Sequence, residues 1–157
     1  MNSVAQLFSP DDVLLDLELP NKQALFKSVG RLWEEHHGIT ATEVVDSLNA
    51  REELGSTGLG QGVAIPHARI KSMSKAIAAF VRPKTPMEFD SPDGKPVAYC
   101  FVLLVPSQAT EQHLEILADV AEMLSSEQFR VQLGAAKSGA EIHQLFSIWS
   151  GANAARK

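Results

Sequence analysis

The longest uninterrupted apolar run in the sequence is Val97-Ala98-Tyr99-Cys100-Phe101-Val102-Leu103-Leu104-Val105. It is far shorter than the roughly 20 residues a membrane-spanning helix requires. Aromatic and branched side chains dominate it, so it reads as a buried strand. No other run approaches a membrane span, and no membrane insertion is expected.

Strand and helix patterns alternate around this run. Val13 to Leu19 reads as a short strand closed by Pro20-Asn21. Leu25, Val29 and Leu32 or Trp33 recur at helical spacing, with Gly38 as the C-terminal stop. Thr40-Ala41-Thr42-Glu43 has the spacing of a capping box and opens a helix through Val44, Val45 and Leu48 that ends near Leu54-Gly55. Ala76 to Val81 is a second strand, and Pro86 to Pro96 a turn region tightest at Asp93-Gly94. Beyond Pro106 the pattern turns helical, with Thr110 as N-cap and Leu114, Leu117, Ala118, Ala121 and Leu124 as one apolar stripe. Phe129 to Ala136 and Glu141 to Trp149 read as two shorter helices. Interleaving of this kind predicts an α/β fold, a single-domain sheet sandwiched between helices on both faces. The domain is expected over residues 1–150, with 151–157 a loose tail.

The bulk numbers exclude several classes. With 157 residues, 45% hydrophobic and 21% charged, the chain has an ordinary globular composition and enough length for one core. The formal charge of -5 offers no basic field for nucleic acid. A single cysteine, Cys100, rules out an internal disulfide and suits a reducing compartment. The first residues, Met1 to Phe8, lack the basic region and apolar stretch of a signal peptide, so a cytoplasmic location is expected.

Chemistry concentrates between Arg51 and Arg69. Gly55, Gly58, Gly60 and Gly62 allow tight turns and can present backbone N–H groups to a ligand. Gly55 and Gly60 match a P-loop, but Gln61-Gly62 stands where Lys-Ser or Lys-Thr is required. A dinucleotide fingerprint needs a strand before the glycines and a helix after them, and here the order is reversed. What remains is His67, held after Val63-Ala64-Ile65-Pro66, where Pro66 stiffens the approach. Neutral imidazole is a good nucleophile near pH 7. A phosphoryl group on it needs donors rather than a metal or organic cofactor, and Arg51, Ser56, Thr57 and the loop amides are candidates.

The segment from Leu54 through Gly-Ser-Thr-Gly-Leu-Gly-Gln-Gly-Val-Ala-Ile-Pro to His67 resembles the active-site signature of the fructose/mannitol-type enzyme IIA domains of the bacterial phosphotransferase system. It is most similar to the nitrogen-regulatory type, IIA-Ntr. The resemblance extends to Asp93-Gly94-Lys95-Pro96-Val97, Leu103-Leu104-Val105-Pro106 and His113-Leu114, and covers most of the chain. It implies a mixed sheet between helices and phosphorylation of His67 on Nε2, supported by Arg51 and His113. It implies an HPr-like phosphocarrier protein of the NPr type as donor, and a regulatory target such as a potassium transporter or sensor kinase. The alternative it leaves open is a sugar-specific IIA that passes phosphate to a IIB domain during uptake. A free-standing single domain favours regulation.

Other residues invite blander readings. Adjacent His36 and His37 cannot both face one ion from a helix, and no zinc site is expected. His143 reads as a helix-surface position, Cys100 as a packed thiol, and Trp33 and Trp149 as core residues.

Overall fold

Strand β6 (Tyr99–Pro106) lies inside a six-stranded sheet and takes partners on both edges. The computed structural model describes residues 3–108 and 111–149; Thr110 and the segment 151–157 lie outside the described residues. The other strands are β1 (Val13–Leu17), β2 (Gly58–Gly60), β3 (Val63–Ala64), β4 (His67–Ile70) and β5 (Ile77–Pro83). They run in the order β1-β5-β6-β3-β2, with β4 also on β6. β5 is antiparallel to β6, while β1–β5, β3–β6 and β4–β6 are parallel, so the sheet is mixed.

β3 and β4 are two pieces of one extended path along β6. Val63 pairs with Tyr99 and His67 with Leu103, and both offsets are 36 residues (99 − 63 and 103 − 67). Pro66 interrupts the ladder because it has no N–H to donate. Its carbonyl still accepts from the Leu103 amide at 2.9 Å. The proline thus leaves β4 in register with β6, and β4 is a strand that the sequence pattern alone did not reveal.

Among the described residues five α-helices cover the sheet: α1 (Lys22–His37), α2 (Ala41–Glu53), α3 (Glu111–Ser125), α4 (Glu127–Ala135) and α5 (Gly139–Ile148). Alternation along β6 divides the core. Cys100, Val102 and Leu104 pack with Phe26, Val29, Trp33, Val44 and Leu48 of α1 and α2. Phe101, Leu103 and Val105 pack with α3, α4 and α5, where Phe146 meets the rings of Phe8, Phe80, Phe101 and Phe129 at centroid distances of 5.1–5.8 Å. Helices on both faces were the sequence expectation, and the structure has them.

Local signals succeeded where one residue decides the matter. Gly38, the expected stop, ends α1 at φ 71°, and Asn21, read from the sequence only as the close of the preceding strand, caps its start by accepting from Ala24 N at 2.9 Å. The capping box expected at Thr40 does not form. Glu34 of α1 accepts instead from Ala41 N at 2.9 Å, and Glu43 accepts from the Ser72 hydroxyl at 3.0 Å. The apolar stripe of α3 is also displaced. Ile116, Val120, Met123 and Leu124 are buried, Leu117 and Ala121 pack at the margin, and Leu114 is 63% exposed.

Candidate functional site

The glycine-dense segment is a folded hairpin. β2 and β3 pair antiparallel around Gln61 (φ 57°) and Gly62 (φ 80°), both left-handed. Its backbone is braced by the neighbouring 86–97 turn, itself closed by a Met87–Val97 bridge. Asp93 accepts from Gln61 N at 2.8 Å and Lys95 N at 3.1 Å, and these bonds hold its carboxyl below the usual carboxylate range. A Cβ at Gly58 would collide with the Ser91 side chain, so this close approach suits glycine. Gly58 N donates to Ser56 Oγ and Thr57 N to Glu52, so these loop amides have partners within the protein.

His67 follows directly as the first residue of β4 and is half-buried. Its Nδ1 lies 2.8 Å from the carbonyl oxygen of Ile65. A carbonyl only accepts, so Nδ1 carries the proton and Nε2 keeps its lone pair. Burial lowers the His67 pKa below the ordinary histidine value, opposed by the Ile65 bond; Arg51 lowers it further and Glu52 raises it. The net effect favours neutral imidazole, the nucleophilic form.

Around this ring lies a cavity of about 440 Å³ between α2, the β4 side of the sheet and α3. α2 contributes Ser47, Ala50 and Arg51; β4 contributes His67, Ala68 and Arg69; α3 contributes His113, Leu114 and Leu117. Arg51 is anchored by an Nη1 donation to Gly55 O at 2.9 Å, so the last turn of α2 carries a guanidinium to the cavity wall. His67, Arg51 and His113, far apart in sequence, therefore line one concavity. Leu54, at the end of α2, is 84% exposed and lines it too, which gives the cavity an apolar rim.

The other two candidates are placed differently. The Thr57 hydroxyl donates to Glu52 Oε1 at 2.7 Å, and the Ser56 hydroxyl donates to Phe89 O. Neither residue lines the cavity. Arg69 was missed in the sequence, although its place two residues after His67 in an extended segment puts both on one face. It lines the cavity and donates from Nη1 to Ser107 O at 3.3 Å.

The residues set aside resolve as follows. His36 Nδ1 and His37 Nε2 both approach Asp12 Oδ1 at 3.5 Å, so adjacency did not keep them from one carboxylate. Among the described residues no group of His, Cys, Asp and Glu suits a metal ion. His143 is a packed residue rather than a surface one, bonded through Nε2 to Ala5 O at 2.9 Å and set edge-on against Phe8. Cys100 is fully buried, which pushes its thiol far above the ordinary range. No helix among the described residues is long and apolar enough to cross a membrane.

A half-buried histidine thus stands beside an arginine in a surface concavity of a mixed sheet held between helix layers. Residues 6–148 match the family described as "Phosphoenolpyruvate-dependent sugar phosphotransferase system, EIIA 2", and the chain belongs to that family. The nitrogen regulatory protein of Pseudomonas aeruginosa is 36% identical over 146 residues, covering 92% of this chain and 95% of that one. A fructose-specific EIIA component of Haloferax volcanii is 36% identical over 103 residues, covering 66% of this chain and 67% of that one. The crystal structure of nitrogen regulatory protein IIA-Ntr from Neisseria meningitidis superposes with a TM-score of 0.87 at 41% identity, covering 92% of this chain and 99% of that one.

Proposed function

We propose that this chain is a phosphohistidine carrier of the nitrogen-regulatory type. His67 accepts a phosphoryl group on Nε2 from an HPr-like phosphocarrier protein of the NPr type. The phosphorylation state then regulates partners such as a potassium transporter or sensor kinase. The observation that carries the reading is the Nδ1–Ile65 bond, which leaves Nε2 as the ring's nucleophile.

In the transfer, the Nε2 lone pair of His67 forms the new N–P bond while the donor's bond to phosphorus breaks in line. The donor leaves with its electron pair, and the proton stays on Nδ1, hydrogen-bonded to Ile65 O. Charge spreads over the equatorial oxygens, so catalysis is mainly positioning and electrostatic stabilisation. Arg51 and His113 supply donors on two sides of the cavity. The apolar rim at Leu54 and Leu114 suits a protein donor, which needs desolvated contact area around the reacting atoms.

The likeness to nitrogen regulatory proteins over nearly the whole chain supports the regulatory reading. The fructose-specific relative supports the second one, a sugar-type IIA that passes phosphate to a IIB domain. Incubation with a phosphorylated HPr-like protein is expected to add one acid-labile phosphate, and His67→Ala to abolish it without loss of fold. Label that survives in His67→Ala and disappears in His113→Ala would reassign the acceptor. Rapid transfer onward to a fructose- or mannitol-type IIB, with no state-dependent binding elsewhere, would favour sugar uptake.

A further inference from the structure

The carboxylate of Glu52, in the last turn of α2, is nearly buried, its side chain 7% exposed. A buried charge needs matched donors, and three converge on it. Thr57 N donates to Oε2 at 3.0 Å, the Thr57 hydroxyl to Oε1 at 2.7 Å, and Lys22 Nζ to Oε2 at 2.9 Å. Two of them come from a single residue, so the carboxylate grips Thr57 by both backbone and side chain.

That grip continues towards His67. The Thr57 carbonyl accepts from Ile65 N at 3.1 Å, and the Ile65 carbonyl accepts from His67 Nδ1 at 2.8 Å. Thr57 and Ile65 are both buried, so packing holds the φ and ψ that relate the N–H of each to its own C=O. A displaced carboxylate therefore displaces the acceptor that orients the ring.

We propose that Glu52 is the positioning residue of the site, fixing the tautomer and tilt of His67 through Thr57 and Ile65. Its kinetic consequence rests on the phosphocarrier reading; its structural consequence does not. Glu52 is not among the residues that line the cavity. It also supports the proton on Nδ1 electrostatically, because its negative charge raises the proton affinity of the ring against the larger effect of burial. Lys22 neutralises the carboxylate and ties it to the start of α1, and Asp90 lies 3.5 Å from the same ammonium.

The test combines ring ¹⁵N spectra of the unphosphorylated protein with single-turnover transfer from a phosphorylated HPr-like donor. In wild type, Nδ1 is protonated and Nε2 is not. Glu52→Gln retains one acceptor but turns a donor towards Thr57, so a mixture of tautomers is expected. Transfer should slow by roughly 10–100-fold, the usual cost of losing an orienting partner, with donor KM little changed. Thr57→Val should act in the same direction and Thr57→Ser should restore the wild-type ring. Lys22→Met keeps both Thr57 contacts and should keep the tautomer. If Glu52→Gln and Thr57→Val fold with Nδ1 protonated and transfer at the wild-type rate, the proposal falls. It falls equally if Lys22→Met disturbs the ring as much as Glu52→Gln, which would mark a merely structural tie. Should Glu52→Gln fail to fold, the two Thr57 variants decide. Absence of phosphate on wild-type His67 would overturn the carrier reading alone, since the ring spectra need no phosphate.

Discussion

The carbonyl of Ile65 and the ring of His67, two residues apart, are joined by a 2.8 Å hydrogen bond across Pro66. The proline stiffens that span and removes a competing N–H. The acceptor that orients the histidine therefore belongs to the same extended segment that delivers it. The ring is set by its own approach path before any partner arrives.

Arg51 and His113 stand on different helices and reach the same cavity from opposite sides. Alanine at either position is expected to slow phosphoryl transfer by about 10²–10³-fold, the usual cost of one donor to a charge-spread transition state. Arg51→Lys should recover only part of this, because an ammonium does not reproduce a guanidinium fork. Rapid-quench transfer from a phosphorylated donor measures it. Wild-type rates in both alanine variants would remove these residues from the site.

The lowered pKa of His67 predicts the acid limb of the rate profile. Neutral imidazole is the acceptor, so the rate should hold as pH falls past the ordinary histidine value of about 6.5 and drop only at a lower pH. Arg51 is one cause of the lowering, so Arg51→Ala should move the limb to higher pH. The stability contribution has the same sign. A depressed histidine pKa stabilises the fold fully above the unfolded value, and that contribution is lost as pH falls through the folded one. An NMR titration of the ring across this window tests both statements.

Arg82 supports the far edge of the sheet. Its side chain is 12% exposed and pairs with Asp16, which sits at φ 61° beside the irregularity in β1. Nη1 donates to Leu133 O at 2.9 Å and Ala136 O at 2.6 Å, closing the end of α4. Arg82→Met should cost about 1.5–3 kcal/mol, the range for hydrogen bonds to a charged group. Denaturant melts should register that loss, while transfer on the opposite side of the sheet stays unchanged.

Regulation by phosphorylation state predicts a measurable coupling. Phosphorylating His67 adds close to two negative charges inside an apolar rim, which alters desolvation and charge complementarity at once. Candidate partners should differ in affinity for the two forms by roughly 5–150-fold. Calorimetric titration of both forms measures it, with His67→Ala mimicking the unphosphorylated state. Equal affinities across the candidates would remove the regulatory reading.

Much of the fold was legible because single residues settle local questions. Gly38 ends α1 through backbone geometry that it carries itself. The apolar run in β6 needed cover on both faces whatever surrounded it. The capping box expected at Thr40 did not form, and Glu43, its reciprocal acceptor, takes the hydroxyl of Ser72 from a distant part of the chain instead. The α3 stripe shifted because the helix carries two overlapping apolar rows. Docking on the sheet chose Ile116, Val120 and Met123 and left Leu114 at the cavity mouth.

By itself the sequence singled out His67 as the candidate phosphoryl acceptor, since a histidine after Pro66 and a glycine-dense segment is a local constellation. It also determined the helix–strand alternation, which follows from periodicity. Only the tertiary structure decided what each polar group faces. Ser56 and Thr57 lie within the signature yet turn their hydroxyls to Phe89 and Glu52. Arg69, unremarkable in sequence, reaches the cavity. The physical reason is that a hydrogen bond's partner depends on which surfaces pack together, and packing brings together residues that no local pattern relates.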